Sequence, residues 1–192
     1  MADKGDVTLF RTPYEPDTEL AENCATAVTK ALLLEKIKED VTAFNKWHRE
    51  NPDVRIDLSG VDLSGVDLSG VDLFYVDLSR AKLSRADLSR TNLSETNLSE
   101  ADLSGANLSE ADLSGANLCG ANLCRAKLCG ANLSYASLSG ASFFGADLSR
   151  ANLSEADLSY ANLLGSNLYK AKGIPENIRY IYLTELMKSW KE

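Results

Sequence analysis

The sequence predicts a solenoid with an α-helical element at each end. Three observations carry this. Leu or Phe recurs at every fifth position from Leu58 to Leu168, 23 times without a slip. A period of five suits neither regular element: on an α-helix five residues advance about 500°, so successive leucines form no stripe, and on a strand an odd spacing sends them to opposite faces. Only a chain that turns a corner every five residues can bury them all. The third observation is that the pattern stops sharply on both sides, where helix-period hydrophobic spacing replaces it.

Taken in order, residues 1–17 are polar, carry Pro13 and Pro16, and read as a flexible lead-in. Residues 18–51 read as a helical cap. Asp17 or Thr18 can cap its start, and Leu20, Ala27, Ala31, Leu34, Ile37, Val41, Phe44 and His48 follow at spacings of three, four or seven. The spacing leaves open whether this is one helix or two broken near Asp40; Asn51-Pro52 ends it. The repeats fill residues 52–172. Gly173-Ile174-Pro175 breaks them, and residues 173–192 read as a capping helix with Ile178, Ile181, Leu186 and Trp190 on one side. The helices have a physical task, because a solenoid exposes apolar cross-section and unpaired backbone at each end. Leu34, Ile37 and Phe44 are the expected contacts of the first cap, and Ile178, Ile181, Leu186 and Trp190 those of the second.

Within one repeat the order is a small residue, Asp or Asn, Leu, Ser, then a variable residue, as in Ala101-Asp102-Leu103-Ser104-Gly105 and Ala111-Asp112-Leu113-Ser114-Gly115. This motif resembles the pentapeptide-repeat family over about 60% of the chain. The resemblance implies a right-handed, four-sided parallel β-helix with 20 residues per coil. The Leu and the small residue two before it would face inward and the other three outward. On that frame the 23 repeats make five to six coils, a rod of roughly 28 Å at ~4.8 Å per coil. The inward small residue is Ile56 and then Val61, Val66, Val71 and Val76 before becoming Ala, Thr or Ser. The bulky first coil is expected to meet the N-terminal helix.

Stacking residues 20 apart sorts the outward charges into four sides. The first has Asp57, Asp77, Glu100 and Asp157 against Arg80, a net of −3, and the fourth has Asp72, Glu95, Asp112 and Glu155 against Lys172, also −3. The second side nets +1 and the third is neutral, so the two adjoining acidic sides make half of the rod acidic. Down the second side, the slot after each leucine reads Ser64, Ser84, Ser104, Cys124, Phe144, Leu164, an apolar stripe growing toward the C-terminal end. Tyr169 occupies the same slot on the third side. The stripe is expected either to lie under the C-terminal helix or to serve as a partner or dimer surface.

Composition excludes several function classes. The net charge of −8 argues against direct nucleic-acid binding. The N-terminus lacks the apolar stretch of a signal peptide and no run is long enough to span a membrane, so a cytoplasmic protein is expected. Of the four cysteines, Cys119, Cys124 and Cys129 share one slot in consecutive repeats, so a cornered chain sends them to different sides, where they cannot share a metal. The single histidine, His48, reads as a capping or packing residue. No nucleophile–base set, phosphate loop or metal motif is present. No catalytic, cofactor-binding or metal-binding residue is therefore expected, and no enzyme.

The leading expectation is a non-catalytic scaffold that binds a protein partner, as a monomer or as a homodimer joined by its C-terminal helix. The uninterrupted array and the N-terminal helix resemble cyanobacterial-type members of the family. An alternative comes from the quinolone-resistance members, which resemble duplex DNA and bind DNA gyrase. Against it stands the charge: ~28 Å of B-DNA carries roughly 16 negative charges, whereas the repeats hold 14 acids and 9 bases. A purely structural rod is the third reading.

Overall fold

In the computed structural model the chain divides into two units, Met1–Glu35 and Lys36–Glu192. Residues 30, 33–52, 54–176 and 178 are described. The lead-in, the first part of the N-terminal helical segment, Cys24, and the expected cap residues Ile181, Leu186 and Trp190 lie outside the described residues.

The repeats are built by a hydrogen-bond rule that, in a repeat carrying Asp or Asn in the middle of the rod, gives each backbone N–H a partner. In Ala101–Gly105, Ala101 N donates to Leu98 O at 3.1 Å and closes the corner. Asp102 N donates down the rod to Ala81 O at 2.9 Å, while Leu103 N and Gly105 N donate up to Asn122 O at 2.8 Å and Cys124 O at 2.9 Å. Ser104 N has no backbone partner, and the Asp102 side chain takes it, Oδ1 accepting at 3.0 Å. The Asp/Asn slot is thus structural: a short side-chain acceptor satisfies the one donor that the corner leaves over.

Parallel bridges pair residues 20 apart from Asp57↔Asp77 to Asn152↔Lys172. Four five-residue corners therefore make one coil, and each side contributes one bridge per coil instead of an extended strand. The inward leucines are buried from Leu58 to Leu158 and Leu163 is half-buried, most of the inward alanines are buried, and Phe143 takes one leucine position. Inward Thr91 and Thr96 donate their hydroxyls to Leu68 O at 2.9 Å and Leu73 O at 2.7 Å, so the two polar substitutions leave no orphan group.

The residue at each corner adopts a left-handed conformation, with Arg85 at φ 59° and Gly105 at φ 66°. This is the sign that a type II turn places at its third residue, and it explains why Gly recurs there. Gly173 is a stricter case. It sits at φ +72°, and a Cβ on it would collide with the backbone of Leu153 and Ser154. Gly173→Ala is expected to lower stability by at least the ~1–2 kcal/mol of a left-handed L-residue, read as a reduced urea midpoint.

Before the rod, residues 33–39 are helical (α1), with Leu33 and Ile37 buried and Leu34 half-buried. Asp40 is extended, at φ −154°, and caps the next helix, Oδ1 accepting from Ala43 N. The region is therefore two helices broken at Asp40. The second, α2, spans Val41–Glu50, and Asn51 caps its C-terminus. Val41, Phe44, Asn45 and His48 share one helical face, with Phe44 and His48 buried. That face meets the first coil, residues 56–75, and Lys38 and Val41 line a shallow cleft with Val66, Asp67 and Ser69.

The contact has a specific logic. Further along the rod, Asn92 N donates to Val71 O one coil earlier. Asp72 lies in the first coil, where no earlier coil exists, and α2 supplies the missing partners. Asn45 Oδ1 accepts from Asp72 N at 2.7 Å, and Asn45 Nδ2 donates to Gly70 O at 2.9 Å. His48 Nδ1 lies 2.8 Å from Asp72 O. A carbonyl only accepts, so Nδ1 carries the proton. Two side chains one helical turn apart thereby imitate a preceding strand on the fourth side of the rod. At the other end, Glu176 and Ile178 are helical and Ile178 is half-buried.

Candidate functional surfaces

The outside of the rod is a grid of side chains repeating every 20 residues, and the grid separates the expected acidic residues into two kinds. Asp72, Asp77 and Asp112 are half-buried, in the slot next to the leucine. Their Oδ1 atoms accept from the backbone N–H two residues on and from an asparagine one coil later: Asn92 to Asp72 at 2.9 Å, Asn97 to Asp77 at 3.1 Å, Asn132 to Asp112 at 3.0 Å. They belong to the fold as much as to the surface. Asp57, Glu95, Glu100, Glu155 and Asp157 are exposed. Glu100 is paired to Arg80 Nε at 3.0 Å. The acidic half that the sequence suggests therefore presents less unengaged charge than a count of its acids. The sequence signal was available, since Asp and Asn alternate in one slot: both accept at Oδ1, and only Asn can donate along the rod.

Asparagine over aspartate also relieves like-charge stacking. Hydrogen bonds also hold aspartates of this slot ionised. The hydroxyl and N–H of Ser89, with help from Asn107 and Lys127, lower the Asp87 pKa. Ser64, through its N–H and hydroxyl, and Lys82 lower that of Asp62. The Ser159 hydroxyl and N–H do the same for Asp157. A folded pKa below the unfolded one adds stability that is fully present above the unfolded value, about 3.9, and is lost as pH falls through the folded value. The thermal midpoint is expected to change little through these groups from pH 7 to 5 and to fall below about pH 4; an unchanged midpoint at pH 3 contradicts this.

Cross-coil ion pairs join Arg80 to Glu100, Arg90 to Glu110 at 2.9 Å and Lys82 to Asp62 at 3.7 Å. All are exposed and each contributes little to stability; their effect is to neutralise surface charge.

The apolar stripe is partly exposed. Cys124 is half-buried, Phe144 is 43% exposed and Leu164 63%. Arg125 N donates to Phe144 O at 2.9 Å and Gly145 N to Leu164 O at 3.0 Å, which places the three on adjoining coils of one side. Tyr169 is exposed on the third side, with Lys170 Nζ 5.2 Å from its ring centre. Sequence reasoning did not single out exposed Tyr135 and Tyr160, whose corner slot tolerates any side chain and so gives no signal. Cys119 and Cys124 each contact a serine hydroxyl, Ser137 and Ser142, and Cys119, Cys124 and Cys129 are free thiols. Among the described residues no group of His, Cys, Asp or Glu is arranged to hold a metal, and no helix is long and apolar enough to cross a membrane.

Comparison with known proteins agrees with this geometry. The family model described as pentapeptide repeats (8 copies) matches residues 54–90, 72–109, 106–145 and 136–172. Among solved structures, Rfr23, a pentapeptide repeat protein from the cyanobacterium Cyanothece 51142, is 32% identical, with 66% of this chain and 95% of that one covered and a TM-score of 0.47. HetL, a pentapeptide repeat protein involved in heterocyst differentiation regulation from Nostoc sp. strain PCC 7120, is 29% identical, with 65% and 91% covered and a TM-score of 0.30. Trypsin-treated QnrB1, a plasmid-mediated fluoroquinolone resistance protein, is 23% identical, with 77% and 91% covered and a TM-score of 0.40. No curated protein matches the chain. The repeat match covers more than half of the sequence, and its period is the one the bridges follow. The chain is a member of the pentapeptide repeat family, whose proteins form right-handed quadrilateral β-helices.

Proposed function

We propose that this protein is a non-catalytic scaffold: a rod of five to six coils, closed by a helix at each end, that presents its sides to a protein partner in the cytoplasm. The observation that carries this reading is how fully the fold uses its own polar groups. Most repeat N–H groups are bonded along the rod, the Asp/Asn carbonyls and carboxylates serve the corners, and no buried side-chain nitrogen or oxygen among the described residues lacks a partner. Acid–base chemistry needs a group poised near the working pH, and Asp62, Asp87 and Asp157 are displaced the other way. What remains for recognition is the exposed pattern of charge and apolar side chains. Neighbouring structures come from proteins of regulation and drug resistance, in line with a partner-binding role.

Affinity capture from the cells of origin, with the full chain as bait, tests the reading. A stoichiometric partner is expected, and a rod that retains none while showing turnover of a small molecule overturns it. Duplex mimicry is disfavoured by the ion-paired and half-buried acids, so a gyrase supercoiling assay is expected to show neither inhibition nor protection from quinolone.

A further inference from the structure

The second side of the rod combines three features that no other side shows together. Its corner column reads Gly65, Arg85, Gly105, Arg125, Gly145, Gly165. Arg80, Lys82 and Arg90 are each ion-paired across coils, whereas Arg85 and Arg125 make no ion pair among the described residues. Both guanidinium stems run along the rod toward the next coil: Arg85 Cγ lies 3.6 Å from where a Cβ of Gly105 would be, and Arg125 Cγ lies 3.6 Å from that of Gly145. The stem of Arg125 is thus carried to the level of Phe144. Beyond it the last two coils of this side, residues 141–145 and 161–165, contain no charged residue, and Phe144 and Leu164 stand exposed on them.

These features form a line along the rod axis. Arg85 and Arg125 are two coils apart, roughly 10 Å, and Phe144 and Leu164 follow at about 5 Å each. An extended peptide advances ~3.3 Å per residue. Two acidic and then two apolar residues at alternate positions, Glu-x-Glu-x-Leu-x-Leu, span roughly the same 20 Å and keep all four side chains on the face turned to the rod. Guanidinium favours carboxylate by its paired donors, and an exposed apolar patch beside it supplies anchoring area.

We infer that the second side, from Arg85 through Arg125 to Phe144 and Leu164, is the docking face for an extended, acidic-then-apolar segment of a partner protein. The inference rests on the scaffold reading and adds the face and the chemistry of its occupant. The surrounding face holds only Asp62, already paired to Lys82, and Asp102, whose Oδ1 accepts from Ser104 N and from Asn122 Nδ2. The chain's net charge of −8 disfavours a nucleic-acid occupant.

The repeat itself supplies substitutions that keep the fold. Gly is the usual residue of the corner column and Ser that of the slot after leucine, so R85G/R125G and F144S/L164S return each position to the pattern. The experiment is fluorescence anisotropy of the full chain with a labelled Glu-Ser-Glu-Ser-Leu-Ser-Leu peptide and its Lys-for-Glu counterpart. Saturable binding of the acidic peptide is expected, weakened at least tenfold by either double variant, with no binding of the basic peptide. Absence of saturable binding, equal binding by the variants, or equal competition by a DNA oligonucleotide overturns the inference. So does a doubled mass in light scattering that F144S/L164S abolishes, which makes a second copy the occupant. Photo-crosslinking from position 164 to the chain's own residues 179–192 likewise assigns the face to that segment and overturns it. A partner captured by the native chain and retained undiminished by the fourfold variant leaves the scaffold reading standing and removes this one.

Discussion

Leu113→Ala is expected to lower the stability of the rod by about 2–5 kcal/mol. Leu113 is fully buried. It lies in a column between Leu93 and Leu133, whose coils are joined to its own by Leu93 N to Asp112 O and Leu113 N to Asn132 O, both 2.7 Å. Those bonds fix the spacing between coils, so neighbours cannot collapse into the space a leucine leaves, and the cavity term stays near its upper range. A solenoid communicates only between adjacent coils, so a weak middle coil also uncouples the two halves. Urea unfolding followed by circular dichroism checks both points. The midpoint falls, and if the halves separate, the slope falls with it. A variant within about 0.5 kcal/mol of the parent, the effect of an ordinary surface change, contradicts this packing.

The second large effect is at the N-terminal edge. Asn45→Ala with His48→Ala removes the side chains that bond Asp72 N, Asp72 O and Gly70 O. Each partly buried group left without a partner costs about 1–3 kcal/mol, and the loss of the His48 ring against Phe44, centroids 5.7 Å apart, loosens the α2 face as well. The damage should be local at first. Hydrogen exchange is expected to accelerate at Leu73 and Tyr75, whose N–H groups bond to Asn92 O and Ser94 O, while Leu128 and Leu133 in the middle of the rod stay protected. Asn45→Asp provides a control: it keeps an acceptor for Asp72 N but loses the donor to Gly70 O, so it should fall between the parent and the double variant. Uniform acceleration along the rod would show that α2 contributes only to global stability.

These two experiments mark the boundary between what was legible in the residues and what was not. The corner every fifth residue and the inward Leu follow from periodicity, because no other path of the chain buries every leucine; the inward small residue and the grouping of positions 20 apart came with the resemblance to the family. The break at Asp40 was open in the sequence and is settled by geometry: an extended Asp40 can cap Ala43 N only if the first helix has already ended. The part played by Asn45 and His48 was not readable. Nothing in helix spacing announces that a polar pair one turn apart will stand in for a strand, since the need arises only when the first coil is found with its edge facing the helix. The acid count misled for a related reason. Asp77 and Glu100 look alike in a sum of charges, yet one is held in a corner and the other reaches across to Arg80.

By itself, then, the sequence determined the solenoid, its inward ladders and the family, because a strict period leaves one way to satisfy both the hydrophobic effect and chain connectivity. The tertiary structure alone decided which polar groups are consumed by the fold and which remain for a partner. That is a matter of what lies one coil above or below, at a separation of 20 residues that local pattern does not weigh. Arg80 and Arg85 occupy the same slot of consecutive repeats, and only the coil above, glutamate for one and glycine for the other, binds the first and leaves the second without an ion pair among the described residues.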